Sequence, residues 1–578
     1  MTSTGRIAWW SSGVFVGLGL TALILWMLLG RSVATTGFAA IDLRPLDESA
    51  VYHRGRLKSF DSYAREIVAQ VAGPKGVSRV LDDAAEPTRL PADFAYLDMM
   101  IRPELYDDAD IIYVKKKPMR AQLAAALERA GTVDTETLDA FIDTGLISES
   151  LLRSPASLEM LQIWSRDVVR TASHVNAIRA AMHFRSSETL ATSLRIIPPP
   201  DGDRDTPWLS PADLWTDGSG ALTEGQRLAA GMDPEMRDAL QRSWAAFVEA
   251  WRAEDTDRAA AMLATFCTAI HEAAPELYPE RSRLLTESTY FRAGSFTWSW
   301  IIYLFAVLFL LMAVAFKWEG ARMLGLGMFS VAFLLHTGTI AVRWYVSGRW
   351  PNSNMFEAVT TSVWFGAVVA VALELVARRT ALRNLFAIGA SVACMAAMMS
   401  VQFIPKLDPA INNMMPILHD LWLYIHTNTI IASYALIAMA AVTSILYLLR
   451  RLFGAPADFA RVGGTGMLLQ DGKRTVSLGE VLDGATLIMM ELSFVMLWAG
   501  IIMGAVWADH SWGRPWGWDP KEVFALNTFL VFLILIHVRL RVADKGLWTA
   551  VLAVAGCGVM LFNWIVINFV IAGLHSYA

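Results

Sequence analysis

Apolar residues in this chain are gathered into long runs. Stretches of about 20 residues with almost no charge recur at roughly 9–30, 297–316, 325–346, 358–376, 384–403, 425–449, 484–507, 523–541 and 549–573. At ~1.5 Å per residue, each run is long enough to cross the ~30 Å hydrocarbon layer of a bilayer as a helix. The pattern predicts nine membrane-spanning helices, one alone near the N-terminus and eight clustered in the second half. The first run is long and lacks a clear small-x-small cleavage site, so it reads as a retained anchor rather than a signal peptide.

Between the first two runs the pattern changes. Residues 31–296 are rich in Ala, Leu, Glu and Arg, with helical periodicity around 119–130, 158–184, 225–252 and 255–274. A Pro- and Gly-containing break at 197–210 separates two helical halves. The expected fold class is therefore an all-α polytopic membrane protein. Its parts are an anchor (1–30), a mostly helical extracytoplasmic domain (31–296) and an eight-helix membrane domain (297–578). The basic-aromatic stretch from Arg54 to Glu66 reads either as a surface loop leading into a helix or as a docking surface for a partner.

The net charge of −5 matters less than where the charges sit. Lys317, Arg322, Arg378, Arg379, Arg383, Arg450, Arg451, Arg461, Lys473, Arg474, Arg539, Arg541 and Lys545 fall in alternate loops. The positive-inside rule puts those loops in the cytoplasm. The N-terminus is then inside, and the C-terminus, residues 31–296 and residues 404–424 are outside, an orientation suited to a bacterial-type inner membrane. The three cysteines, Cys267, Cys394 and Cys557, form no CxxC or CxxCH, which argues against thiol–disulfide exchange and against a c-type cytochrome. No Walker-type or dinucleotide-type glycine loop occurs, and no nucleic-acid partner is expected.

The chemistry-bearing residues converge on the outer face. The segment from Trp512 to Glu522 holds Trp512, Trp516 and Trp518 among Gly513, Arg514, Pro515, Gly517, Asp519, Pro520, Lys521 and Glu522. An interfacial aromatic belt scatters tryptophans at helix ends; a Gly/Pro loop holding three of them suits a large, flat, amphipathic ligand. His426 opens one span and His575 follows the last, both at this face, and His510 stands just before the loop. Taken singly these are ordinary interfacial histidines. Together over an indole platform they make a bis-histidine haem site, whereas zinc fits two histidines poorly without a further carboxylate or thiolate. Arg514 and Lys521 are candidates to neutralise haem propionates. His537 lies roughly 20 Å below the outer surface at ~1.5 Å per residue, and His336 lies inside another span. Each reads either as a functional ligand or as a histidine hydrogen-bonded to a neighbouring helix.

These residues resemble the CcsA (ResC) family of cytochrome c biogenesis proteins, in a superfamily that also includes CcmC and CcmF. Trp512–Glu522 looks like the family's tryptophan-rich WWD signature. His426, in Leu421-Trp422-Leu423-Tyr424-Ile425-His426, matches the first outer histidine. His537, in His537-Val538-Arg539, matches the intramembrane histidine, and the ending Gly573-Leu574-His575-Ser576-Tyr577-Ala578 matches the second outer histidine. A softer match joins Arg343-Trp344-Tyr345 with the stretch from Pro351 to Glu357.

The resemblance implies that haem b is carried to the outer surface, where its vinyl groups meet the thiols of a CxxCH apocytochrome. His426 and His575 would be the outer axial ligands, Trp512, Trp516, Trp518 and Asp519 the platform, and His537 an inner ligand. The chain would then be a component of a holocytochrome c synthase, or haem lyase. Two features depart from the family pattern. No CcsB (ResB) half is recognisable, so the partner of His537 is either His336 or a residue of a separate CcsB-like protein. Residues 31–296 are also larger than a typical loop. The competing readings are a haem exporter that serves a separate chaperone, and a membrane transporter or assembly scaffold without haem.

Overall fold

The computed structural model describes residues 3–29, 37–79, 87–131, 133–167, 170–203, 206–216, 222–404, 407–414, 420–461, 476–567 and 571. His575, Lys473 and Arg474 lie outside the described residues. The chain divides into two compact units, one of residues 1–28 with 293–578 and one of residues 29–292.

Nine described helices are long and apolar enough to cross a membrane. They are α1 (Ser3–Leu29), α2 (Trp300–Phe316), α3 (Glu319–Ser347), α4 (Met355–Ala377), α5 (Leu385–Phe403), α6 (Leu421–Leu452), α7 (Leu478–Trp512), α8 (Pro520–Arg541) and α9 (Lys545–Phe562). The fold is thus all-α and polytopic. Helix α9 runs on into a π-helical turn, Asn563–Ile567.

The pairs α6–α7, α2–α3, α4–α5, α6–α9 and α8–α9 pack most extensively. Helix α1 lies against α3, where a Cβ at Gly13 would collide with the Leu324 carbonyl. Helix α7 has 35 residues, about 52 Å at ~1.5 Å per residue. It therefore projects well beyond the apolar run at 484–507 and carries Asp509, His510 and Trp512 in its last turns. The tryptophan-rich loop is correspondingly shorter than the sequence suggested.

The 29–292 unit is helical around a main apolar core, with three two-stranded antiparallel sheets among its described residues. Phe38 and Phe94 pack on Trp251 at 4.9 and 5.0 Å. Two of the expected helices are split. The 225–252 segment breaks before Pro234, where Asp233 caps a new helix by accepting from Met236 N. The 158–184 segment breaks after Arg166.

The stretch from Arg54 to Glu66 is neither a surface loop nor an open docking face. It closes a hairpin, Ala50–His53 with Arg56–Ser59, and enters helix Phe60–Ala72 with Phe60, Asp61 and Tyr63 fully buried. Its cations are satisfied internally: Arg56 pairs with Glu287 at 2.5 Å and Lys58 with Glu66 at 2.5 Å. Cys267 is buried in the same unit, and burial pushes its thiol up to about 12, which keeps it an inert packing residue.

Candidate functional site

The N-terminal ends of α4, α6 and α8, the C-terminal end of α7 and the turn after α9 line a cavity of about 300 Å³. That lies at the lower end of the ~300–1,000 Å³ range typical of small-molecule sites. His426, Trp507, Trp516, Lys521, Asn352 and Tyr434 are among its lining residues.

His426 sits in the second turn of α6, whose start is capped by Asp420 accepting from Trp422 N at 2.6 Å. Its Nδ1 donates to the Trp422 carbonyl at 2.8 Å. This bond assigns the proton to Nδ1 and leaves the lone pair on Nε2. The imidazole stacks on Trp507, centroids 5.5 Å apart at 30°. Trp507 in turn meets Trp512 edge-on at 4.9 Å. Gly504, one turn before Trp507, faces the imidazole edge: a Cβ there would lie 3.3 Å from Cδ2 and 3.8 Å from Nε2.

The tryptophan-rich turn is a joint between two helices. Gly513 ends α7 in the left-handed conformation at φ 67°. Asp519 then caps α8, accepting from Lys521 N at 3.1 Å. Glu522 closes the capping box, accepting from Asp519 N at 3.1 Å and from Gly517 N at 2.9 Å. Asp519 is thus buried at the helix start, shaping the platform rather than forming its surface. Trp516 turns into the cavity, while Trp518 is 74% exposed and meets Trp516 edge-on at 6.0 Å. Trp518 is also a non-glycine residue at φ 55°. Arg514 is exposed, and its guanidinium lies beside Gly517.

The opposite wall is held by a buried ion-pair network. Arg343 and Glu357, both fully buried, pair at 2.8 Å, and Arg349 joins the same carboxylate at 2.8 Å. Glu357 also accepts from Ser353 N at 2.7 Å, while Arg343 donates to Pro409 O at 2.7 Å and Ala410 O at 3.2 Å. These bonds fix the Asn352–Met355 segment as cavity wall. Asn352 donates through Nδ2 to Thr427 Oγ1 at 3.1 Å, and its buried Oδ1 has no hydrogen-bond partner among the described residues. Across the cavity, Asn563 donates to the Tyr434 hydroxyl at 2.8 Å.

The cavity therefore gathers His426, Trp516 and Lys521, with Trp512 joined through Trp507. His537 lies elsewhere: it is exposed on α8, with Nδ1 donating to Leu533 O at 2.8 Å. His336 is buried in α3, with Nε2 3.0 Å from Thr360 O and Nδ1 3.4 Å from the Tyr303 hydroxyl. Helix α3 packs on α2, α4 and α5, whereas α8 packs on α7 and α9, so the fold does not bring His336 and His537 to one site.

Sequence reasoning passed over Trp507, Gly504 and Tyr434, and held Asn352 only within the softer family match. A signal was present, because Gly500, Gly504 and Trp507 recur at i, i+4 and i+7 on one helix face.

Residues 352–575 match the family model described as Cytochrome C assembly protein. The chain is 31% identical over 261 residues to the cytochrome c biogenesis protein CcsA of Parasynechococcus marenigrum, covering 43% of this chain and 84% of that one. It is 31% identical over 307 residues to CcsA of Thermosynechococcus vestitus, covering 47% of this chain and 94% of that one. It is also 29% identical over 253 residues to protein NrfI of Wolinella succinogenes, covering 43% of this chain and 25% of that one. With 31% identity over most of the length of two CcsA proteins, in the region that holds His426 and the tryptophan-rich helix joint, this chain is a member of the CcsA family of cytochrome c biogenesis proteins.

Proposed function

We propose that this protein receives haem b in the membrane, presents it at the outer face and supports its covalent attachment to CxxCH apocytochromes. The observation that carries the reading is the stack of His426 on Trp507 in the wall of a cavity that also takes in Trp516 and Lys521. In this reading Nε2 of His426 binds the haem iron on one side and His575 binds it on the other. Trp516, Trp512 and Trp518 form the aromatic border, and Lys521 and Arg514 neutralise the propionates. Asn352 Oδ1 offers an acceptor in a wall that also carries Ser353, Asn354 and Thr427.

The protein supplies position and the haem supplies the chemistry. The apocytochrome histidine displaces one axial ligand. Each cysteine S–H then adds across a vinyl group: the sulfur–carbon bond forms and the proton passes to the neighbouring vinyl carbon. Nothing is oxidised or reduced overall, so no redox partner enters the addition.

His537 serves as an inner ligand on the way. It faces outward from α8, one of the two least enclosed membrane helices, which favours a second ligand from a CcsB-like partner over His336. The basic loops orient the chain with its tryptophan-rich joint and the 29–292 unit outside the inner membrane, and that unit receives the apocytochrome.

Co-expression with a CxxCH apocytochrome in a host lacking its own maturation system tests the proposal. Holocytochrome formation, alone or with a CcsB-like partner, is expected. A purified protein that stays colourless after haem supply sinks the haem reading. A haem-loaded protein that never yields holocytochrome identifies an exporter.

A further inference from the structure

Residues 349–353 form a strap between α4 and α6, and successive residues bond alternately to the two helices. Arg349 pairs with Glu357 of α4 at 2.8 Å, the Pro351 carbonyl accepts from Thr361 Oγ1 of α4 at 2.8 Å, and Ser353 N donates to Glu357 at 2.7 Å. The residues between them reach α6. Trp350 Nε1 donates to Asn428 Oδ1 at 3.0 Å, and Asn352 Nδ2 donates to Thr427 Oγ1 at 3.1 Å. These two acceptors belong to the residues that directly follow His426.

Each bond has one direction. The Thr427 hydroxyl gives its proton to Leu423 O at 2.6 Å, so toward Asn352 it accepts. Asn428 gives an amide N–H to Tyr424 O at 2.7 Å, which turns its oxygen to the indole, and an indole N–H only donates. His426 makes the matching bond to Trp422 O. Three successive side chains are thus tied to the carbonyl one turn back, so they hold fixed places on the α6 backbone. The strap is anchored at its own end: the Trp350 ring packs on Trp344, Trp364 and Phe365, with centroids 5.2, 6.0 and 6.0 Å away.

At about 100° per residue, Asn428 lies about 200° around α6 from His426. The imidazole faces Trp507 and Gly504 of α7, and the strap holds the far side of the same turn. Building on the reading that His426 ligates haem, the geometry points to Trp350 as a positioning residue for that ligand. Its bond to Asn428 ties the place of the imidazole to the buried Arg343–Glu357 pair, and Asn352 adds a second tie through Thr427. Trp350 acts through the helix and not on the haem. A ligand offset of about 1 Å can cost about a hundredfold in rate, which gives such a tie its value.

The test measures holocytochrome yield from the full-length protein, co-expressed with a CxxCH apocytochrome and a CcsB-like partner, in two backgrounds. One is the parent. The other is His426→Gly supplied with millimolar imidazole, a ligand that α6 does not carry. Trp350→Phe keeps an aromatic ring and removes the donor. It is expected to lower the parent yield by up to about tenfold and to leave the imidazole-rescued yield unchanged. Asn428→Leu removes the same bond from the other side. It is expected to show the same contrast, and the double variant to lose no more than either single one. Equal fractional losses in both backgrounds overturn the proposal, because Trp350 then supports the fold and not the ligand. No loss in the parent overturns it too, as does a double variant whose loss is the product of the single losses. If Trp350→Phe does not accumulate in the membrane, the contrast shown by Asn428→Leu decides. A His426→Gly protein that keeps full yield, or that imidazole does not rescue, refutes the His426 assignment itself, independently of Trp350.

Discussion

Gly504 of α7 and His426 of α6 are matched across their helix interface: the missing side chain at 504 is the space beside the imidazole edge, within 3.8 Å of Nε2. A side chain at this position competes with anything that approaches Nε2, without removing the ligand itself. Gly504→Val is expected to lose most of the outer-site haem, and Gly504→Ala to lose less. The pyridine haemochrome content of purified protein measures both. Equal haem in parent and Val variant would show that Nε2 is not the face the ligand uses.

His426 offers a complementary experiment. Replacing it with glycine removes the proposed iron ligand and leaves a space beside Trp507 that free imidazole can enter. His426→Gly is expected to abolish holocytochrome formation, and millimolar imidazole to restore part of it. Rescue by imidazole but not by an equal concentration of acetamide separates ligation from packing, and the visible spectrum reports the returning bis-nitrogen ligation.

The Arg343–Glu357 pair stabilises the cavity wall from a fully buried position. Removing Glu357 strands the buried Arg343 charge, at a cost of ~3–5 kcal/mol, while removing Arg343 leaves Glu357 only its pairing with Arg349. Glu357→Gln and Arg343→Met are each expected to lower the thermal midpoint of the detergent-solubilised protein by many degrees and to reduce outer-site haem in parallel. A Glu357→Gln variant with unchanged melting would mean the pair contributes little beyond position.

Acid sensitivity of the 29–292 unit has a specific source in Glu66. Burial pushes its carboxyl up, but the contact with His53 and the charges of Lys58 and Arg54 outweigh this and hold it well below the usual carboxylate range. A depressed folded-state value stabilises above the unfolded carboxylate value, ~4.3. That contribution is lost as pH falls through and below this value. Buried Asp47 acts in the opposite sense, since burial raises its value. Glu66→Gln is therefore expected to reduce stability at pH 7 and to flatten its fall between pH 5 and pH 3, read by denaturant titration at each pH. A parallel acid slope in parent and variant would remove Glu66 as the source.

The nine spans and the all-α class were legible because a bilayer demands long apolar runs whatever the tertiary contacts. Helix ends were less legible. Helix α7 continues through Asp509 and His510, where polarity rises once the chain leaves hydrocarbon and the backbone hydrogen bonds go on. The stretch from Arg54 to Glu66 was misread because its cations are neutralised partly by Glu287, 231 residues from Arg56, a pairing no local pattern discloses. Trp507 and Gly504 were hidden in an apolar run whose spacing matched an ordinary span. Asp519 was visible as part of the tryptophan motif, but its place as a helix cap depends on backbone angles that the motif does not spell out.

Trp518 holds a backbone angle of φ 55°, which a bulky residue adopts at a cost of about 1–2 kcal/mol and glycine adopts with little strain. Glycines already stand at 513 and 517, so small residues are acceptable in this turn. A chain tuned for durability alone would have a third one at 518. In the proposed reading, the indole kept there, turned outward, trades folding stability for contact with the haem brought to this joint.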